Sequence, residues 1–216
     1  MRIIIIGAGG HGQVVADALL ARQRSTAPDL VLAGYADDDR RIRGSMLGSL
    51  PVLGSIADAL QIEHDAVVVA IGANRVRAEI MADLARQGES FYTVVHPSAV
   101  VAPDVTVGSG SVILAGVVVN TGSTLGAGVI VNTCASLDHH NTVGDYVHIA
   151  PGSHTGGNVT IKEGAFIGLG ASVIPQRTIG EWAIVGAGAT VIRDVPQGTT
   201  VVGVPAQPIK HMKEVS

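Results

Sequence analysis

From His96 to Val191 the apolar residues recur every six positions. Counted from His96, the sixth places are Val101, Val107, Ile113, Val119, Leu125, Val131, Leu137, Val143, Ile149, Thr155, Ile161, Ile167, Val173, Ile179, Val185 and Val191, and fifteen of the sixteen are aliphatic. The fourth places are Val, Ala or Ser except at Asn141 and Arg177. A helix would carry every sixth residue around its circumference, and a lone strand would alternate every two residues. A fixed short repeat of β-branched residues and glycine predicts a β-solenoid instead. Three hexads per triangular coil stack residues eighteen apart on neighbouring coils, about 4.8 Å away. Sixteen hexads make a little over five such coils with inward aliphatic ladders.

The first part of the chain follows a different pattern. Residues 3–6 are a continuous apolar run, as in a buried parallel strand, and Gly7, Gly9 and Gly12 follow as G-x-G-x-x-G before a helical stretch, 13–23. That order leaves backbone N–H groups at a helix start free to receive a phosphate. A second strand, 31–37, ends at Asp37, Asp38 and Asp39. A short strand at 51–53, a helix after Ser55, a buried strand at 66–72, a helix over 75–87 capped by Asn74 and ended by Gly88, and a strand at 91–95 complete the reading. The expected organisation is an α/β Rossmann-like domain over 1–95, an all-β parallel β-helix over 96–193 and a tail over 194–216. A glycine loop followed by an acidic strand end also suits NAD. A dinucleotide fold, however, needs a second mononucleotide half, and the residues from 96 onward are committed to the repeat.

Composition narrows the function classes. A net charge of −4 without basic clusters argues against a nucleic-acid partner. Six aromatic residues against 28 glycines suit a coil stack filled by Val, Ile and Ala. Scarce charge implies apolar surface covered by other subunits. The single Cys134 cannot form an intramolecular disulfide and suits a reducing, cytoplasmic setting, and no stretch approaches a membrane span of about 20 apolar residues.

The chemistry-bearing residues cluster in the repeat. His139 and His140 take the second and third places of their hexad, at a coil corner pointing outward, with Thr121 and Gly157 one coil away from His139. His148 and His154 take fifth places, also expected to point outward. Imidazoles could bind a metal, serve structure or act as a general base. These positions do not obviously converge on one metal ion. Cys134, with no base beside it in sequence, reads as a small packing residue rather than a nucleophile. Asn158-Val159-Thr160 matches a glycosylation sequon inside a repeat strand.

The segment NTCASLDHHNTVGDYVHIAPGSHTGGNVTI, the opening IIIIGAGGHGQVVADAL, the YADDD and AIGANRVR stretches and the closing GVPAQPIK together resemble one family. It is the hexapeptide-repeat sugar acyltransferases, of the nucleotide-activated 4-amino-sugar N-acetyltransferase and sialic-acid O-acetyltransferase type. The resemblance spans essentially the whole chain and implies a left-handed β-helix. It implies transfer from acetyl-CoA, without a metal, to the 4-amino group of a nucleotide-linked amino-dideoxy sugar for surface glycan synthesis. The alternative acceptor is a hydroxyl of sialic acid or a related sugar; a nucleotide- or NAD-binding module with a structural solenoid is the reading of another class. His139 matches the catalytic base, and His140 stands where the family usually has Asp or Glu. Gly10, His11 and Gly12 would approach the pyrophosphate or sugar, Asp37 and Asp38 the base and ribose, with Asn74 and Arg77 nearby. Asn132 would lie close to the acceptor sugar. Acetyl-CoA would run between two solenoids past His148, Gly157, Gly168 and Gly186, with the tail near its end. A homotrimer is expected.

Overall fold

A computed structural model describes residues 1–211; residues 212–216 of the expected tail lie outside the described residues. The chain divides into two compact units, Met1–Pro97 and Ser98–Ser216.

The first unit is a five-stranded sheet with helices. Its strands are β1 (Arg2–Ile6), β2 (Val31–Ala36), β3 (Met46–Leu47), β4 (Leu50–Gly54) and β5 (Ala66–Val69), in the order β3-β4-β2-β1-β5. All pairings are parallel except the β3–β4 hairpin. Ile3 to Ile6 are fully buried, as a parallel strand covered on both faces requires. Helix α1 (Gly10–Ser25) starts three residues earlier than the periodicity predicts. The four-residue α2 (Ile56–Ala59) is capped by Ser55, whose hydroxyl accepts from the Asp58 N–H. Helix α3 (Asn74–Arg86) corrects the expected cap: Asn74 lies inside the helix, and Ala73 precedes it with no side-chain cap. The hairpin partner β3 had no sequence signal beyond its turn. The stretch 91–95 is extended only in part, through a bridge from Phe91 to Val67 and a two-residue strand at Val94–Val95.

One ion pair in this unit sets a pH dependence. The side chain of His64 is 8% exposed, and its two ring nitrogens face the Ile62 carbonyl at 2.7 Å and Glu89 Oε2 at 2.8 Å. Neither the carbonyl nor an ionised Glu89 can donate, so this arrangement favours the cationic ring with hydrogen on both nitrogens. Burial opposes that charge, but the Ile62 carbonyl, Glu89 and Asp65 outweigh it and raise the His64 pKa. A group raised above its unfolded value of about 6.5 stabilises fully below that pH, and the contribution is lost as pH rises through the folded value. The thermal midpoint should therefore fall above pH ~6.5, by ~2–4 °C per kcal/mol lost, and His64→Gln should flatten the slope. Identical pH profiles for parent and variant would refute this account.

The second unit is a parallel β-helix of two-residue strands at the fifth and sixth places of the hexads. Strands eighteen residues apart pair in register, for example Val118↔Ser136↔His154 and Thr124↔Thr142↔Thr160. They form three stacks. One runs from Val100–Val101 to Thr190–Val191, the second from Thr106–Val107 to Thr178–Ile179. The third runs from Val112–Ile113 to Ile184–Val185 and continues through Thr199–Val202 to the antiparallel Gln207–His211. The sixth-place residues from Ile113 onward are buried. From Gly110 onward the third-place residues turn the corners with left-handed backbone. This is free for glycine, and Cys134, His140, Tyr146, Asn158, Gln176 and Trp182 adopt it at φ 54–61°.

Candidate active site

In the β-helix the corner between the strands Ser136–Leu137 and Thr142–Val143 carries His139 and His140, both exposed. Three features build it. The corner backbone is pinned from within by Asn141, whose fully buried side chain donates Nδ2 to the carbonyls of Asp138 at 2.5 Å and Gly156 at 3.0 Å. That explains why a polar residue takes an inward place. Asp138 Oδ1 accepts from the His139 N–H at 2.8 Å and from Asn120 Nδ2 at 2.9 Å. Asn120 first and then that N–H hold the Asp138 carboxyl below its usual range. The rings of His139 and His140 meet edge to face at 78°, their Nδ1 atoms 3.1 Å apart.

His139 leans over Gly157, where an ideal Cβ would lie 2.4 Å from Cε1. The absent side chain there is the space the imidazole uses. Nε2 of His139 makes no hydrogen bond to any described residue, so it is available to an incoming group. Such an imidazole, without a hydrogen bond at Nε2 among the described residues and engaged at Nδ1, can accept a proton from a nucleophile.

The other histidines separate. His148 was expected to point outward, yet it is 8% exposed. It stands in the third stack beside Phe166, ring centroids 5.2 Å apart, and its Nε2 lies 3.2 Å from Asn132 Nδ2. Val112 and Ile130 before it in that stack are also buried, while Phe166 is half-buried and Ile184 exposed; the fifth places of the other two stacks are Val, Thr, Ser and His, none of them buried. His154 is exposed and bonded through Nδ1 to Ser136 Oγ at 2.8 Å. Asn132 and His148 thus meet on the third stack, away from the corner that carries His139 and His140. Among the described residues no group of three or more His, Cys, Asp or Glu is placed to hold a metal ion. Cys134 is exposed at its own corner, not packed as expected. Gly168 and Gly186 are demanded by coil stacking: an added Cβ would lie 2.6 Å from the Val185 carbonyl oxygen and 2.7 Å from Val202 Cγ1.

In the α/β unit Gly10, His11 and Gly12 form the first turn of α1, and its N-cap Gly9 offers no side-chain cap. The first N–H groups of a helix have no intrahelical acceptor, an arrangement that suits an anion. Gly12 lets the helix approach the loop, since a Cβ would lie 2.1 Å from the Gly7 carbonyl oxygen. Burial, then the Arg77 charge, lowers the His11 pKa to about 4, so its ring is neutral at neutral pH. Arg77 was expected only near the nucleotide sugar. It is fully buried and donates to the carbonyls of Ile71 and Gly72 at 2.8 and 3.4 Å and to Asn74 Oδ1 at 3.1 Å. It shapes the loop before α3 and lends positive potential. Asp37 is likewise engaged in structure, accepting from the N–H of Ala8 at 2.8 Å and of Asp39 at 2.9 Å. Asp38 accepts from the Ile56 N–H at 3.0 Å through Oδ1 and keeps Oδ2 unused by the described residues. Both carboxylates line a depression of about 370 Å³ with Arg40, Arg43, Ser55 and Asp58. Arg40 and Arg43 had not been singled out from sequence, although the DDDRRIR run of opposite charges was visible.

Residues 2–84 match the family model described as the PglD N-terminal domain. GDP-perosamine N-acetyltransferase of Escherichia coli O157:H7 is 36% identical over 148 residues, 66% of this chain and 67% of that one. The acetyltransferase domain of PglB from Neisseria gonorrhoeae, solved with acetyl coenzyme A, is 39% identical with a TM-score of 0.87 and covers 96% of this chain and 98% of its own. PerB from Caulobacter crescentus, solved with CoA and GDP-perosamine, is 38% identical with a TM-score of 0.88 over 97% and 98%. No helix among the described residues is long and apolar enough to cross a membrane. With its Rossmann-like unit, its hexad-repeat coils and relatives similar over nearly its whole length, the chain belongs to the PglD-type family of left-handed β-helix, acetyl-CoA-dependent sugar N-acetyltransferases.

Proposed function

We propose that this enzyme acetylates the 4-amino group of a nucleotide-linked amino-dideoxy sugar, for surface glycan synthesis, with His139 as general base. The observation carrying the reading is the available Nε2 of an exposed imidazole, laid over Gly157 and held at Nδ1 by His140. The amine nitrogen attacks the thioester carbonyl of acetyl-CoA and gives its proton to His139 Nε2. The tetrahedral adduct collapses with loss of the coenzyme thiolate, so transfer is direct and Cys134 takes no part. The α/β unit holds the nucleotide, with the first turn of α1 at the diphosphate and Asp38 at the base. The O-acetyl alternative draws no support from the Escherichia coli relative, an N-acetyltransferase by name.

Two separate groups of site residues, the His139–His140 corner and the His148 stack, support a homotrimer with its sites between subunits. His139 and His140 would supply one wall, and Asn132, His148, Gly168 and Gly186 of a neighbour the coenzyme A wall; cyclic closure brings unlike surfaces together. Both substrates and the reduced Cys134 suit the cytoplasm.

The test is thiol release from acetyl-CoA with GDP-, UDP- and dTDP-linked 4-amino-4,6-dideoxy sugars. Release with one of them is expected, and none with any would overturn the reading. A fully active monomer by sedimentation would remove the trimer. Asp38→Ala should raise KM for the nucleotide sugar at least about tenfold and spare that for acetyl-CoA, because a hydrogen bond to a charged group is worth about 1.5–3 kcal/mol. An unchanged KM would make Asp38 a solvated turn residue.

A further inference from the structure

The corner holding His140 has a carboxylate below it. Asp104, Gly122 and His140 are third-place residues of hexads eighteen apart, on three successive coils of the same edge. With φ 57°, His140 folds its ring down over Gly122, where an ideal Cβ would lie 2.6 Å from Cδ2 and 2.8 Å from Nε2. From the coil beneath, Asp104 Oδ2 accepts from the Gly122 N–H at 2.8 Å and from Thr121 Oγ1 at 2.7 Å. The carboxylate is thereby raised toward the coil on which the His140 ring lies. It stays ionised, held below its usual range by the Thr121 hydroxyl first, then by the Gly122 N–H, with the His140 ring also contributing. His139 leans the opposite way, over Gly157, and the two rings hydrogen-bond through their Nδ1 atoms.

One hydrogen must lie between those two nitrogens. If His139 accepts a proton at Nε2, its Nδ1 carries that hydrogen and donates it to His140 Nδ1. His140 then holds its own hydrogen on Nε2, the edge turned toward Gly122, whose N–H donates to Asp104. We propose that Asp104, acting through His140, is the positioning carboxylate that fixes His139 in its Nδ1–H form and stabilises its cation as the amine attacks. This rests on His139 being the base. The chain Asp104–His140–His139 replaces the single acidic residue expected at position 140. No proton reaches Asp104: the amine's proton stops at His139 Nε2, and each Nδ1 and Nε2 hydrogen stays where it was. Asp138 is nearer in sequence, but its hydrogen bonds go to the His139 backbone and Asn120, not to either ring.

The charged groups facing the pair are Asp138 on its own corner and Asp104 on the earlier edge; the later coil offers only Gly156, Gly157 and Asn158. Asp104→Asn keeps an acceptor for Thr121 and Gly122 while removing the charge. It should lower kcat about tenfold or more, a fraction of what a base supplies, with both KM values within about twofold. The acidic limb of kcat/KM should move to lower pH, and Asp104→Glu should recover part of the rate. In a His140→Ala background the same substitution should change kcat less than about twofold, since coupled residues are not additive. Equal losses in both backgrounds, or an unmoved limb, would make Asp104 structural and overturn the proposal. Should the variant unfold, ¹⁵N-histidine spectra of the parent decide: Nδ1–H on His139 with Nε2–H on His140 is expected, and the reverse pair refutes it. Activity surviving in His139→Ala would instead defeat the base assignment itself.

Discussion

His139→Ala should lose roughly 10²–10⁴ in kcat, the usual contribution of a positioned base, with saturating acetyl-CoA and amino sugar. The coil stack should stay folded, because the side chain is exposed and its ring bonds only to His140. The corner is held by other groups: Asn141 on the carbonyls of Asp138 and Gly156, and Asp138 on the His139 N–H. An unchanged thermal midpoint with a collapsed kcat is therefore the expected signature. Near-parental kcat would transfer the role to another base or to an amine that arrives already deprotonated. The buried His148, paired with Asn132 on the third stack, could replace it only from a neighbouring subunit.

Gly157→Ala should be the most damaging change that adds a single carbon near the site. The new Cβ would lie 2.4 Å from His139 Cε1 and 2.5 Å from Nε2. Contacts that short cannot persist, and the exposed imidazole can yield more easily than the coil backbone. A shift of about 1 Å in a reacting group can cost about 10² in rate, so kcat should fall by that order while the thermal midpoint barely moves. A raised KM for acetyl-CoA at unchanged kcat would show that Gly157 contacts the coenzyme instead, as the family resemblance implied. The two outcomes separate a steric role for the missing side chain from a binding one.

The legible and illegible parts of this site differ in physical kind. Spacing placed Gly157 next to His139, because a coil of eighteen residues fixes which positions stack. It did not say which way the rings lean. That follows from the left-handed backbone of His140 and from glycine on opposite sides of the pair, at positions 122 and 157. The same limit explains His148. A fifth-place residue points out of the coil, and the sequence rule ends there; whether that face is then covered is a property of the assembled protein. Asp37, Asn74 and Arg77 were selected for ligand contact by motif position, and the fold gives much of their bonding capacity to backbone and neighbouring side chains.

By itself the sequence determined the repeat register, the inward ladder, the strand–glycine–helix opening and the identity of the outward histidine pair. Each follows from local periodicity or from backbone needs that a few adjacent residues express. Only the tertiary structure decided that His148 is buried, that Arg77 is buried against the carbonyls just before α3, that Asn141 pins the His139–His140 corner from inside, and that Asp104 bonds the Gly122 N–H beneath the His140 ring. Those relations join residues up to 36 positions apart through side-chain direction and desolvation, which linear spacing does not encode.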